Sequence, residues 1–300
     1  MKNLRSCLSC GVYGFSRVYK PAPRKLDDIF AKRQKVICAR RFFTENANHS
    51  KSNEWKSTID DDEVARLSRS GMDWWDANGE FIALHTMNRV RVPYIKKAVI
   101  GVQGEMSTSS KPLDGFKMLD VGCGGGLLAE PLARLGAKVT GIDASARNTH
   151  VAMRHASLDP SLAGNLQYRC TTVEQLAQEK KVFDCAVSSE VIEHVTEKES
   201  FIGAISQLLK PRGSLILTTM NRTPQAYVLA IVAAEYIAHA VPIGTHDWNK
   251  FPKISELTEL LQENGLETED IQGLAFNPVT SRWSYCEGTD INFALHAIKI

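Results

Sequence analysis

Along the middle of the chain, short apolar runs of β-type residues alternate with stretches in which apolar residues recur every three or four positions. The runs Phe116–Val121, Lys138–Ile142, Asn165–Cys170, Phe183–Ser188 and Ser214–Thr219 predict five strands. Leu127–Leu135, Ala146–Ser157, Val173–Glu179 and Ser200–Leu209 predict the helices between them. Lys210-Pro211-Arg212-Gly213 predicts a turn opening the fifth strand. The alternating segment Ile291–Ile300 predicts a last strand at the C-terminus. Upstream, Thr58–Ala77 carries a helical pattern broken at Gly71 and is expected to pack as a helix, with Trp74 and Trp75 on it. Strands and helices in this order build a parallel sheet covered on both faces.

A chain of 300 residues with 43% apolar content has room for one large α/β domain with appendages. The net charge of +2 hides an uneven distribution. Met1–Thr44 holds 11 Lys or Arg against Asp27 and Asp28, so this end is +9 and the remainder is −7. A basic, Arg- and Ser-containing, acid-poor N-terminus without an uninterrupted apolar core predicts a mitochondrial transit peptide over residues 1–44. The alternative, a basic nucleic-acid arm, is opposed by the acidic remainder, which phosphate backbones would repel. Residues 45–57 then form a flexible tail, and 58–300 the folded domain. Of the 7 cysteines, Cys7 and Cys10 form the sole C-x-x-C pair and lie in the expected presequence. The others have no zinc spacing, which fits a reducing compartment.

Candidate chemistry begins where the first strand ends. Gly122, Gly124 and Gly126 follow Asp120 at the position where open α/β sheets bind ligands. A dinucleotide site favours G-x-G-x-x-G, but position 127 is Leu127. The spacing D-x-G-x-G-x-G instead resembles the first motif of class I S-adenosylmethionine-dependent methyltransferases. A zwitterionic donor at this turn tolerates Asp120, which would repel a pyrophosphate. Asp143 ends the second strand, where a carboxylate can accept both ribose hydroxyls. Thr172 follows the third strand, either as an adenine contact or as a helix cap.

The second cluster is S-S-E-V-I-E-H-V, Ser188–Val195. If Val191 begins a helix, Glu190, Glu193 and His194 share one face and can hold a divalent cation. Oxygen-rich ligands favour magnesium or manganese, and the imidazole leaves zinc open. The same E-x-x-E-H also occurs in class I methyltransferases that need no metal.

The segments Trp74–Arg91, Met220–Thr223, Ala234–Ile237, Val241–Trp248 and Gly273–Thr280, taken with the two motifs, resemble the ubiquinone-biosynthesis O-methyltransferase family from about Asp60 onward. The resemblance implies a Rossmann-like, mostly parallel seven-stranded sheet with helices on both faces. It also implies O-methylation of ring hydroxyls in polyprenyl dihydroxybenzoate and demethylubiquinol. It carries donor binding to Arg91, Gly122, Asp143 and Ser189, and magnesium ligation to Glu190, Glu193 and His194. Position 189 is often Met in bacterial relatives. Arg91 would pair with the donor's carboxylate, unless it is a surface arginine. The implied setting is peripheral, on the matrix face of the inner mitochondrial membrane, within a multiprotein coenzyme Q biosynthetic complex and without nucleic acid.

A metal would acidify and orient the acceptor hydroxyl. His246 or Asp247 would take its proton, or the two would simply stabilise their loop. Ala226–Val241 is the most apolar helical stretch, too short to span a bilayer, within an insert at about 222–250. It reads as an interfacial or substrate-gating helix for a polyprenyl tail, or as a buried core helix. Arg212 and Arg222 are expected near its start, facing anionic lipid. Two other functions remain open: a non-catalytic nucleotide-binding scaffold of a membrane-associated complex, and a methyltransferase for another small phenol.

Overall fold

A computed structural model of the protein describes residues 58–59, 64, 74–103, 110–228 and 247–300. The expected presequence 1–44, the tail 45–57 and most of the insert, His246 included, lie outside the described residues. Of the helix expected over Thr58–Ala77, Val64 is helical, but Trp74 and Trp75 sit in a turn.

Among the described residues, eight strands form one sheet in the order β3-β2-β1-β4-β5-β8-β6-β7. All five strands expected in the middle of the chain are present: β1 (Lys117–Val121), β2 (Lys138–Asp143), β3 (Leu166–Cys170), β4 (Phe183–Ser189) and β5 (Leu209–Met220). They pair in parallel. The order runs outward from β1 through β2 to β3, then restarts on β1's other side with β4. That reversal opens a crevice at the strands' carboxyl ends, beside Val121 and Ser189. The predicted turn at 210–213 is a bulge: β5 pairs Leu209 with Phe183, then resumes at Ser214 opposite Cys185. Arg212 takes φ 60° within it.

The C-terminal strand β8 (Asn292–Lys299) inserts antiparallel between β5 and β6 (Leu266–Asn277). The seven-stranded expectation is exceeded by β7 (Arg282–Cys286), an antiparallel edge strand whose residues are exposed or half-buried. No face of β7 is buried, so it leaves no alternating pattern to read.

Helices cover both faces, and alternation along each strand assigns residues to them. On one face, α1 (Ile82–Gln103), α2 (Ala129–Arg134) and α3 (Ala146–Ala156) pack with Met118, Val139, Val187 and Ile216. On the other, α4 (Val173–Ala177), α5 (Lys198–Leu208) and α6 (Ile254–Glu263) pack with Leu119, Ala186, Leu215 and Leu217. The apolar stripe of α1 is Met87, Val90, Tyr94, Ile95 and Val99, at helical spacing. Pro93 lies within that continuous helix on its exposed side.

Candidate active site

The glycine turn is bound to the end of β2. Gly122 and Cys123 both donate their N–H groups to the Ile142 carbonyl, at 2.8 and 2.9 Å, and Gly124 N–H donates to Asp143 Oδ2 at 2.9 Å. Gly122, Gly124 and Gly126 all have positive φ. At Gly122 an added Cβ would also lie 2.5 Å from Val191 Cγ2, so both conformation and space demand glycine. The turn is not bare on its outer side. The indole of Trp74 lies on Gly124 and Gly125, so close that a Cβ at Gly124 would meet it at 2.5 Å. Trp75 Nε1 donates to the Gly125 carbonyl at 2.9 Å, and its ring stacks on His155 with centroids 3.4 Å apart.

Beneath the turn the charges converge. Asp143 accepts from Ser145 N–H at 2.8 Å and from Asn148 Nδ2 at 3.3 Å through Oδ1, in addition to Gly124 through Oδ2. Burial raises its pKa, and these three donors oppose the rise. Asp120 is 2% exposed, and its Oδ2 has no hydrogen-bond partner. Burial pushes its pKa up to about 7, with Arg91 opposing and Asp143 adding to the rise.

Arg91 is a buried guanidinium, 4% exposed, not a surface residue. It donates to Asn88 Oδ1 at 2.7 Å, to Ser189 Oγ at 2.8 Å and to the Leu84 carbonyl at 3.4 Å. Burial lowers its pKa to about 10 although Asp120 and Glu190 favour its charge. Among the described residues no carboxylate completes an ion pair with it. Asn88 in turn donates to the Leu127 carbonyl at 2.7 Å, tying the guanidinium to the glycine turn's exit.

Glu190, Glu193 and His194 do not share a helix face. Glu190 has φ 57°, outside any right-handed helix, and the helical part is one 3-10 turn over Ile192–His194. Two consecutive threonines of β5 hold the carboxylates apart. Thr218 Oγ1 donates to Glu190 Oε1 at 2.7 Å, and Thr219 Oγ1 donates to Glu193 Oε2 at 2.9 Å. Successive strand residues point to opposite faces, so the two carboxylates are anchored by hydroxyls from opposite faces of β5, although they remain near enough for Glu193 to act on Glu190. Among the described residues no group of three His, Cys, Asp or Glu is placed to hold a metal ion. This donor set therefore does not fit a divalent cation in the arrangement seen. Burial, and next the nearby Glu193, raise the Glu190 pKa to about 7.

Thr172 caps α4: it accepts from Gln175 N–H at 3.2 Å, and its own N–H donates to Gln175 Oε1. Asp247 caps a 3-10 turn over Trp248–Lys250 by accepting from Asn249 N–H. Arg222 pairs with Glu256. Arg212 lies in the bulge at the opposite end of β5 from the insert, so only one of the two arginines is near its start.

Asn88, Asn148, Thr218 and Thr219 escaped sequence reasoning. One signal was present: two polar residues closing the apolar run S-L-I-L-T-T, at the strand end where ligands bind.

An open α/β sheet with this turn and this charged crevice is the architecture of a class I methyltransferase, and residues 62–271 match the methyltransferase domain family. Among solved structures, an N-methyltransferase from Bradyrhizobium japonicum WM9 in complex with S-adenosyl-L-homocysteine shares the fold at TM-score 0.52 and 16% identity, covering 79% of this chain and 98% of that one. Magnesium protoporphyrin IX methyltransferase from Synechocystis PCC 6803 does so at TM-score 0.52 and 17% identity, over 82% of this chain and 100% of that one.

Sequence relatives narrow the class. The mitochondrial ubiquinone biosynthesis O-methyltransferase of Rattus norvegicus is 44% identical over 263 residues, 87% of this chain and 76% of its own length. The Arabidopsis thaliana protein of that name is 40% identical, over 84% of this chain and 78% of its own. The ubiquinone biosynthesis O-methyltransferase of Bartonella quintana is 42% identical, over 82% and 98%. The chain belongs to the ubiquinone biosynthesis O-methyltransferase family.

Proposed function

We propose that the protein transfers a methyl group from S-adenosylmethionine to a ring hydroxyl of polyprenyl dihydroxybenzoate and of demethylubiquinol. The observation that carries the donor assignment is a pair of buried charged groups short of direct partners: among the described residues Arg91 makes no ion pair, and Asp120 Oδ2 accepts no hydrogen bond. A zwitterionic α-amino acid satisfies both, its carboxylate on Arg91 and its ammonium on Asp120. Asp143 receives the ribose hydroxyls, exchanging them for part of its present hydrogen bonds, and Thr172 lies at the adenine end. Gly122, Gly124, Gly126 and Ser189 complete the donor's bed. The donor supplies an already activated methyl group, so the chain's task is alignment and exclusion of water. Glu190 faces the acceptor hydroxyl from the neighbouring strand end and orients it.

Metal assistance through Glu190, Glu193 and His194 rests on the family resemblance alone, and no step is routed through it. The mitochondrial setting rests on the basic N-terminus and on the mitochondrial names of eukaryotic relatives, whereas the matrix face, peripheral attachment to the inner membrane and membership of a biosynthetic complex rest on the family resemblance. Among the described residues no helix is long and apolar enough to cross a membrane.

The test is an assay of the Glu45–Ile300 protein with labelled donor and a short-chain prenyl dihydroxybenzoate, with and without a chelator. Turnover is expected, and Asp143→Ala should weaken donor binding by about 10-fold or more, the loss of a charge-assisted hydrogen bond. Equal donor affinity in the variant would refute the ribose assignment. Turnover unchanged by the chelator would remove the metal.

A further inference from the structure

The donor clamp and the acceptor corner are joined by a line of hydrogen bonds through β4 and β5. Ser189 and Thr218 are register partners on adjacent strands, and their hydroxyl oxygens lie 2.7 Å apart. Thr218, 1% exposed, has one hydroxyl proton, and Glu190 Oε1 takes it at 2.7 Å. Thr218 Oγ1 must therefore accept from Ser189, and Ser189 Oγ accepts from Arg91 Nη1 at 2.8 Å. With Glu190 ionised, every donor points the same way, from guanidinium through two hydroxyls to carboxylate, and such chains strengthen link by link. The backbone reinforces the last link: Glu190 N–H donates to the Thr218 carbonyl at 2.9 Å while Glu190 holds its left-handed φ. Neither Thr218 nor its direction of donation is needed for the fold's ladder, since the strand pairing is made by the backbone.

We infer that Thr218 is a positioning residue for the transfer: its hydroxyl aims Glu190 at the acceptor and couples that aim to occupation of Arg91 by the donor. The inference rests on the proposed function, in which Arg91 serves the donor and Glu190 the acceptor. It implies that donor and acceptor bind with positive cooperativity. A donor carboxylate on Arg91 fixes the guanidinium, and the chain transmits that fixed geometry to Glu190.

The variants are Thr218→Val, which keeps the branched shape and removes the hydroxyl, and Thr218→Ser, which keeps the hydroxyl. Donor affinity is read by calorimetry without acceptor, and kcat and acceptor KM with a short-chain prenyl dihydroxybenzoate. Cooperativity is read as the change in acceptor affinity caused by S-adenosylhomocysteine. Thr218→Val is expected to lower kcat about 10- to 100-fold, the cost of a misplaced reacting group, to raise acceptor KM, and to abolish the cooperativity. Its donor affinity should stay within about two-fold, because Arg91 keeps Asn88 and Ser189. Thr218→Ser should recover most of the loss. If circular dichroism shows Thr218→Val unfolded, Thr218→Ala replaces it with the same expectations. Wild-type kcat and cooperativity in Thr218→Val, or equal damage in Val and Ser variants, would overturn the inference while leaving the proposed function standing. A wild-type protein without turnover on this acceptor would overturn the proposed function and this inference with it.

Discussion

At the scale of single residues, the donor-binding role proposed for Asp120 comes at a cost to the fold. Its carboxyl ionises near 3.8 when unperturbed and near 7 in the folded protein, because burial disfavours the charge. Between those values the native state holds a proton that the unfolded chain has lost, so stability falls as pH rises through that window. Asp120→Asn removes the dependence. The variant should melt higher than wild type above pH 7, by about 2–4 °C for each kcal/mol recovered, and match it near pH 4. The same substitution should weaken donor binding, because the ammonium loses its counter-charge. Melting curves from pH 4 to 8.5 with paired donor titrations check both signs. A variant that melted lower at pH 8 would show that Asp120 is held by contacts other than its unmet charge.

At the scale of elements, the glycine turn is clamped from two sides: by β2 through Ile142 and Asp143, and by the Trp74–Trp75 turn across Gly124 and Gly125. Gly125 has ordinary φ, so alanine there is strained by packing alone. Its Cβ would stand 2.4 Å from Trp74 Cγ. Gly125→Ala is expected to destabilise by about 1–3 kcal/mol, as overpacking does. Trp74→Ala also destabilises, but the double variant should lose less than the sum, because the smaller side chain vacates the clash. Urea unfolding of the four proteins measures the coupling, and strict additivity would place Trp74 elsewhere.

This clamp also marks the limit of what the sequence discloses. The β1–β5 succession, the helices between them and the last strand were legible because strands buried on both faces read as short continuous apolar runs and the helices between them follow period 3.6. So were Asp120, the glycines and Asp143, whose spacing is local. The turn at Trp74 imitates a helix because its aromatic pair packs on a loop 50 residues away. The α1 stripe is obscured by Pro93. The acidic pair at Glu190 and Glu193 imitates a helix face, because nothing local reveals the left-handed Glu190 or that Thr218 and Thr219 each hold one of the two carboxylates. Contacts between distant segments write no period.

At the scale of the whole molecule, the proposed function brings donor, acceptor and bilayer together at the sheet's carboxyl edge. β5 carries Thr218 and Thr219 and then runs, within a few residues, into the apolar segment that begins at Ala226. Of its described residues Ala226 is buried, whereas Tyr227 is 47% exposed and Val228 54%. An acceptor with a polyprenyl tail loses about 0.8 kcal/mol for each methylene drawn out of lipid, so a ring presented at this edge while the tail stays in the bilayer is favoured over full extraction. Only Arg222 of the two arginines is near, and it is paired with Glu256, so attachment should depend mainly on apolar contact and only weakly on salt. The double variant Tyr227→Ser/Val228→Ser is therefore expected to lose flotation with phosphatidylcholine vesicles as well as with anionic ones. It should raise KM for a long-chain acceptor more than for a short-chain one, with donor affinity unchanged. Flotation that vanished at 0.5 M salt in the wild type, a range in which the Debye length falls to a few ångströms, would instead assign the attachment to charge.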